Sequence, residues 1–191
     1  MTPYRKEDLD QACKVMREGG VILYPTDTIW GLGCDACCAD AVRRIFEIKH
    51  RSDSKSMLVL LDNDAKLSFY VEKVPDLAYD LMDMSEKPLT IIYDGARNLA
   101  PQLIAEDGSV GIRITKEIFS RDLCARMRGA IVSTSANVSG EASPANFCEI
   151  SKEILDAVDY VVEYRRDDTS KAKPSSIVKL GEGGLVKVIR E

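Results

Sequence analysis

A chain of 191 residues, 45% hydrophobic and 30% charged, has the make-up of one ordinary globular domain spanning 1–191. It is long enough to bury roughly 70% of its unfolded surface with no disulfide or metal staple. A formal net charge of −5 argues against an extended nucleic-acid surface, and a single histidine argues against a Ser-His or Cys-His nucleophile.

The chain begins with a helix over about 5–18, with Leu9, Ala12, Cys13 and Met16 at helical spacing and Gly19-Gly20 as its stop. Nothing here has the uninterrupted apolar core of a signal peptide, and no later run has membrane-spanning length. A cytoplasmic protein with reduced cysteines is expected. VILY (21–24) is a short strand halted by Pro25, and CADAVRRIFEIK (38–49) is a helix. MLVLLD (57–62) is a buried strand, and PDLAYDLMDMS (75–85) is a helix with Pro75 near its first turn. PLTIIYD (88–94) and SVGIRIT (109–115) are strands, EIFSRDLCARMR (117–128) a helix and AIVST (130–134) a strand. Ser143-Pro144 has the form of an N-cap followed by proline at the first helical position. DYVVEY, SSIVKL and LVKVIR supply three further strands, the last two joined at Gly183-Gly184. Several connections are too short for a crossover helix, so the pattern predicts an α/β (α+β) fold with a mixed sheet flanked by helices.

Cys34-x-x-Cys37-Cys38 invites a zinc or redox reading, but no second ligand pair accompanies it, and structural thiols are expected. Four polar segments sit near strand ends. YPTDTIWGLG offers the Thr26 and Thr28 hydroxyls, two glycines for close backbone approach, and Trp30 as an exposed flat wall; a capped turn would use the same residue types. KHRSDSK (49–55) places Lys49, Arg51 and Lys55 together on an exposed loop. Lys acts as a point charge and Arg as a planar fork, which suits phosphates, although a solvated basic loop would look the same. STSANVSGEASP (133–144) holds hydroxyls and Asn137 for neutral hydrogen bonding, with no GxxxxGK[ST] or GxGxxG pattern anywhere. KPSSIV (173–178) is a second serine-rich segment. Arg113 stands in a mainly apolar strand, where it needs a partner or a cavity; a bound carboxylate would satisfy it. Cations for phosphate, an arginine for carboxylate, many hydroxyls and no nucleophile together suggest activation of a carboxylate by a nucleotide.

In order, YPTDTIWGLG, KHRSDSK, VGIRIT, VSTSANVSG and PSSIV resemble the YrdC (TsaC) family of threonylcarbamoyl-AMP synthases, collinearly from about Val21 to Arg190. The resemblance implies a twisted mixed sheet with helices and a concave nucleotide-binding surface, in the short form without an extra C-terminal domain. It implies condensation of L-threonine, bicarbonate (or CO2) and ATP, with Mg2+, to L-threonylcarbamoyl-AMP and pyrophosphate. It also implies hand-off to a tRNA threonylcarbamoyl transferase complex acting at adenosine 37, and weak tRNA binding. Carried over by position, Thr28, Arg113, Ser133 and Ser175 would hold L-threonine, with Arg113 on its carboxylate. Lys49, Arg51, Lys55, Ser109, Ser135, Asn137, Ser143 and Arg190 would hold ATP, with Lys49 and Arg51 as the catalytic pair. Three positions depart from the pattern: Ser52 replaces a common proline, Leu60 stands where the longer branch has histidine, and Thr115-Lys116-Glu117 follows Arg113 without proline or histidine. The rival readings are a YciO-like paralogue, a non-catalytic RNA-binding module, and a relative of dihydroxybutanone phosphate synthase, whose acidic ligands and histidine are not found here.

Overall fold

The computed structural model describes residues 2–50, 57–181 and 185–191. Among them a nine-stranded mixed sheet carries the chain, flanked by helices. Helix α1 (Lys6–Arg17) is followed by an antiparallel pair, β1 (Ile22–Tyr24) and β2 (Gly31–Gly33). Helix α2 (Ala39–Ile48) leads towards β3 (Leu58–Leu61), then α3 (Leu67–Tyr70) and α4 (Asp76–Met84). Next come β4 (Leu89–Tyr93), β5 (Val110–Ile114), α5 (Ile118–Met127) and β6 (Ile131–Ser135). The chain closes with α6 (Lys152–Ala157), β7 (Tyr160–Val161), β8 (Ser176–Leu180) and β9 (Val186–Arg190).

The sheet order is β7-β1-β2-β6-β3-β5-β4-β8-β9. Three parallel pairs (β1·β7, β3·β5, β4·β8) are interspersed among five antiparallel ones, as the short connections required. Side chains alternate between two faces. Val59, Leu61, Ile91, Ile112 and Val132 join the larger core, beneath Val42, Ile45 and Phe46 of α2. Leu60 and Ile131 face the other way and pack with Tyr24, with Leu9 and Met16 of α1, and with Phe119 and Leu123 of α5. Arg113 is the Cα partner of Leu60 and Ser133 of Leu58, so both lie on this second face. Helices α1 and α5 cover only part of it, and what they leave open is the concave surface that the resemblance implies.

Two expectations fail. β2 falls inside YPTDTIWGLG, expected as a polar segment beyond a strand end rather than a strand, because GLG lacks the side chains that mark strands; tight packing selects glycine instead. A Cβ on Gly33 would stand 2.5 Å from Tyr24 Cε1 and 2.9 Å from the Val132 carbonyl. No helix starts at Ser143-Pro144: the next α-helix is α6, capped by Ser151, whose hydroxyl accepts the Ile154 amide. The proposed Gly183-Gly184 turn lies outside the described residues.

Candidate functional site

Pro25 ends β1, since it has no N–H for the sheet ladder. The turn that follows is tied by one hydroxyl: Thr26 Oγ1 lies 2.8 Å from the Ile29 carbonyl, 3.0 Å from the Thr28 amide and 3.0 Å from Thr28 Oγ1. It sets Thr28 against a cavity of about 210 Å³ on the open part of the second face. Arg113 enters that cavity from β5, Ser133 and Ser135 from β6, Ser143 from the following loop, Ser175 from the start of β8 and Arg190 from β9. All four residues expected to hold L-threonine (Thr28, Arg113, Ser133, Ser175) therefore line one cavity, together with three of those expected to hold ATP (Ser135, Ser143, Arg190).

The two arginines give the cavity its sign. Arg113 is buried, at 2% exposure, and Arg190 Nε donates to the Ser175 carbonyl at 2.9 Å. Burial and the nearby Arg113 charge lower the Arg190 pKa from its usual value. Two guanidiniums lining one cavity make a natural anion site. Hydroxyls supply the rest: Ser175 Oγ and Thr90 Oγ1 are 2.8 Å apart. Among the described residues the cavity lining includes no Cys, His, Lys or carboxylate side chain.

Asp27 is the functional residue that sequence reading passed over. Its Oδ1 stands 3.0 Å from Arg113 Nε, with the two side chains 10% and 3% exposed. Neither atom has an aligned hydrogen-bond partner among the described residues, so the contact is electrostatic. Burial raises the Asp27 pKa above the usual carboxylate value, and Arg113 opposes that rise. A second cavity, of about 400 Å³, is lined by Asp27, Leu89, Ile114 and Lys116, so the pair sits where the two cavities meet. The available signal was reciprocal: a lone arginine in an apolar strand needs a carboxylate, and Asp27 is the only acid in YPTDTIWGLG.

Lys49, Asn137 and Ser109 are not among the residues that line this cavity. Lys49 is not on an exposed loop: it is 2% exposed, at the C-terminal cap of α2, where His50 turns the chain with φ 48°. Its Nζ donates to the Ser135 carbonyl at 2.5 Å and the Asn137 carbonyl at 2.6 Å, while its own carbonyl accepts the Ser139 amide. Asn137 Nδ2 donates to the Val138 and Glu141 carbonyls, and its buried Oδ1 has no hydrogen-bond partner among the described residues. Ser109 is buried, with its hydroxyl donated to Asp107 at 2.6 Å. Arg51, Ser52 and Lys55 lie outside the described residues. Trp30 is not an exposed wall; it is 5% exposed and packs on Phe147 with ring centroids 4.9 Å apart, one side still reaching the cavity. Leu60 belongs to the core under α5, and after Arg113 the chain turns into α5 with Glu117 accepting the Phe119 and Ser120 amides.

A family model described as "Sua5_yciO_yrdC: Telomere recombination" matches residues 14–191. The threonylcarbamoyl-AMP synthase of Pseudomonas aeruginosa is 34% identical over 152 residues, which is 79% of this chain and 82% of that protein. The structure of E. coli YciO has a TM-score of 0.85 at 25% identity, covering 98% of this chain and 90% of that one. That of P. abyssi Sua5 complexed with L-threonine has a TM-score of 0.84 at 22% identity, covering 95% of this chain and 53% of that longer one. A match over nearly the whole chain, on the same mixed sheet, places this protein in the Sua5/YciO/YrdC family.

Proposed function

We propose that the protein is an L-threonylcarbamoyladenylate synthase, a nucleotidyltransferase that condenses L-threonine, bicarbonate or CO2 and ATP to L-threonylcarbamoyl-AMP and pyrophosphate. One observation carries the reading: Thr28, Ser133, Ser175 and the buried Arg113, separated widely in sequence, line a single cavity that a second guanidinium, the exposed Arg190, also reaches. The similarity to the P. aeruginosa synthase supports the same activity. YciO has the same fold, so fold alone is neutral between the two; the reading rests on the residues and on that relative.

The threonine carboxylate would lie on Arg113, whose terminal nitrogens form a fork that a lysine cannot copy. Asp27 balances the Arg113 charge from the Nε side. Once the amine has taken up CO2, the carbamate oxygen attacks the α-phosphorus and pyrophosphate leaves. The protein's part is placement and charge neutralisation, which needs no protein nucleophile. Ser135, Ser143 and Arg190 would hold the nucleotide beside the amino acid. Lys49 would act beneath it, fixing the Ser135 and Asn137 carbonyls and so the shape of the loop. Arg51, Lys55 and Ser109 are assigned to ATP by position. Among the described residues no group of three or more His, Cys, Asp or Glu side chains stands where it would hold a metal. Mg2+ would arrive with the triphosphate of the nucleotide substrate. Transfer of the product to a tRNA-modifying complex completes the reading.

The decisive assay is pyrophosphate release in the presence of ATP, L-threonine and bicarbonate. Release should depend on all three; release indifferent to the omission of threonine sinks the reading.

A further inference from the structure

We propose that Thr26 is a positioning residue that makes the Thr28 hydroxyl an obligate hydrogen-bond acceptor towards the substrate amine, keeping the amine's lone pair free for CO2. This rests on the proposed synthase reading and adds a proton-level constraint to it.

The inference follows from counting protons. The Ile29 carbonyl can only accept, so at 2.8 Å it takes the single hydroxyl proton of Thr26. Thr26 Oγ1 then has two lone pairs and nothing left to donate. One lone pair receives the Thr28 amide at 3.0 Å. The other faces Thr28 Oγ1, also at 3.0 Å, and only the Thr28 proton can fill that contact. Thr28 has thereby committed its proton inward. What it presents to the cavity is lone pairs alone. Both threonines are buried, at 2% and 8% exposure, so water does not reset this order.

The placement gives the order a chemical meaning. Thr28 and Arg113 line the same cavity, and Asp27, next to Thr28 in the chain, touches Arg113; on the proposed reading an α-amino acid with its carboxylate on Arg113 has its amine within reach of Thr28. An acceptor there holds an N–H. A donor there would instead cap the nitrogen lone pair. For carbamate formation the ammonium first loses a proton to solvent water. The freed lone pair then forms a bond to the carbon of CO2, one C–O π pair becomes an oxygen lone pair, and a second N–H proton leaves to water. Only the acceptor orientation of Thr28 is compatible with that sequence while the amine stays anchored.

Two arms test the proposal. In the first, Thr26→Val keeps the side-chain shape but removes the hydroxyl, so the Thr28 rotor is released. Its kcat should fall at least about tenfold with threonine Kd held within about threefold, because ammonium can still be accepted in the ground state. Thr26→Ser, which restores the hydroxyl, should recover most of the lost turnover. An unchanged kcat, a loss confined to threonine affinity, or no recovery with serine overturns the proposal. The second arm uses the unaltered protein and is indifferent to whether Thr26→Val folds. The α-hydroxy analogue of threonine, a donor at the amine position, should compete with threonine at least about tenfold better than the α-keto analogue, which can only accept. Equal competition overturns the proposal. Failure of the synthase reading would show separately, as pyrophosphate release that does not need threonine in the unaltered protein.

Discussion

Lys49 and Asp27 exchange the roles that their types suggest. Lysine in a basic stretch suggests a solvent-facing phosphate contact, yet Lys49 is enclosed and bonded to two carbonyls of the Ser135–Asn137 loop. Lys49→Met therefore should cost stability as well as turnover, because two buried acceptors lose a charged donor. A loss of about 2–4 kcal/mol in chemical denaturation is expected, together with a raised KM for ATP. A variant as stable as the parent would show that Lys49 is not a strut. Asp27 was invisible for the opposite reason. A carboxylate inside a turn-like PTDT looks ordinary until Arg113, 86 positions later, is brought within 3.0 Å of it. Single residues announce their chemistry in sequence but not their partners.

Among elements, helices and apolar strands were readable because their periodicity is local. The helix expected over 5–18 is α1 at Lys6–Arg17, and the strand expected over 57–62 is β3 at Leu58–Leu61. β2 escaped because what selects GLG is the backbone and the Tyr24 ring on neighbouring strands, which no local pattern encodes. That constraint is testable. Gly33→Ala would force a Cβ against Tyr24 Cε1 and the Val132 carbonyl in a fully buried strand, where neither can withdraw easily. The variant should lose at least about 3 kcal/mol, read as a lower denaturation midpoint, or fail to accumulate as soluble protein. Tolerance of alanine would mean that the β1·β2 pair can open. The false helix after Ser143-Pro144 has a related origin: Ser143 sits in the cavity wall, and capping chemistry in sequence cannot distinguish a helix start from a ligand-facing loop.

At the scale of the whole molecule, the site is assembled from distant parts of the chain, since Thr28 and Arg190 lie more than 160 positions apart. The link between β7 and β8 closes one side. In it Arg165 donates to the Thr26 carbonyl at 3.1 Å and pairs with Asp168 at 2.8 Å. Hydrogen bonds from Ser170, then the Arg165 pair, lower the Asp168 pKa to about 2. Asp107 is likewise held at about 2, by Lys179 and then Ser109. Both folded values lie below the unfolded one, so their stabilisation is present above the ordinary carboxylate range and is lost as pH falls towards about 2. Asp27 runs the other way: with its pKa raised, its ionised form costs stability that disappears in acid. Carboxyl NMR titration should find Asp107 and Asp168 still ionised at about pH 3, where ordinary aspartates are mostly protonated. A normal midpoint for Asp168 would remove this account of the link, and one for Asp107 would remove its pairing with Lys179.

Trp30 carries a practical consequence. It is the only tryptophan in the chain, buried against Phe147 with one side on the cavity. The protein thus has a built-in optical reporter at the mouth of its own site. Its emission is free of any other indole, so amino acid and nucleotide occupancy can be followed in the unlabelled, unmutated chain, one substrate at a time.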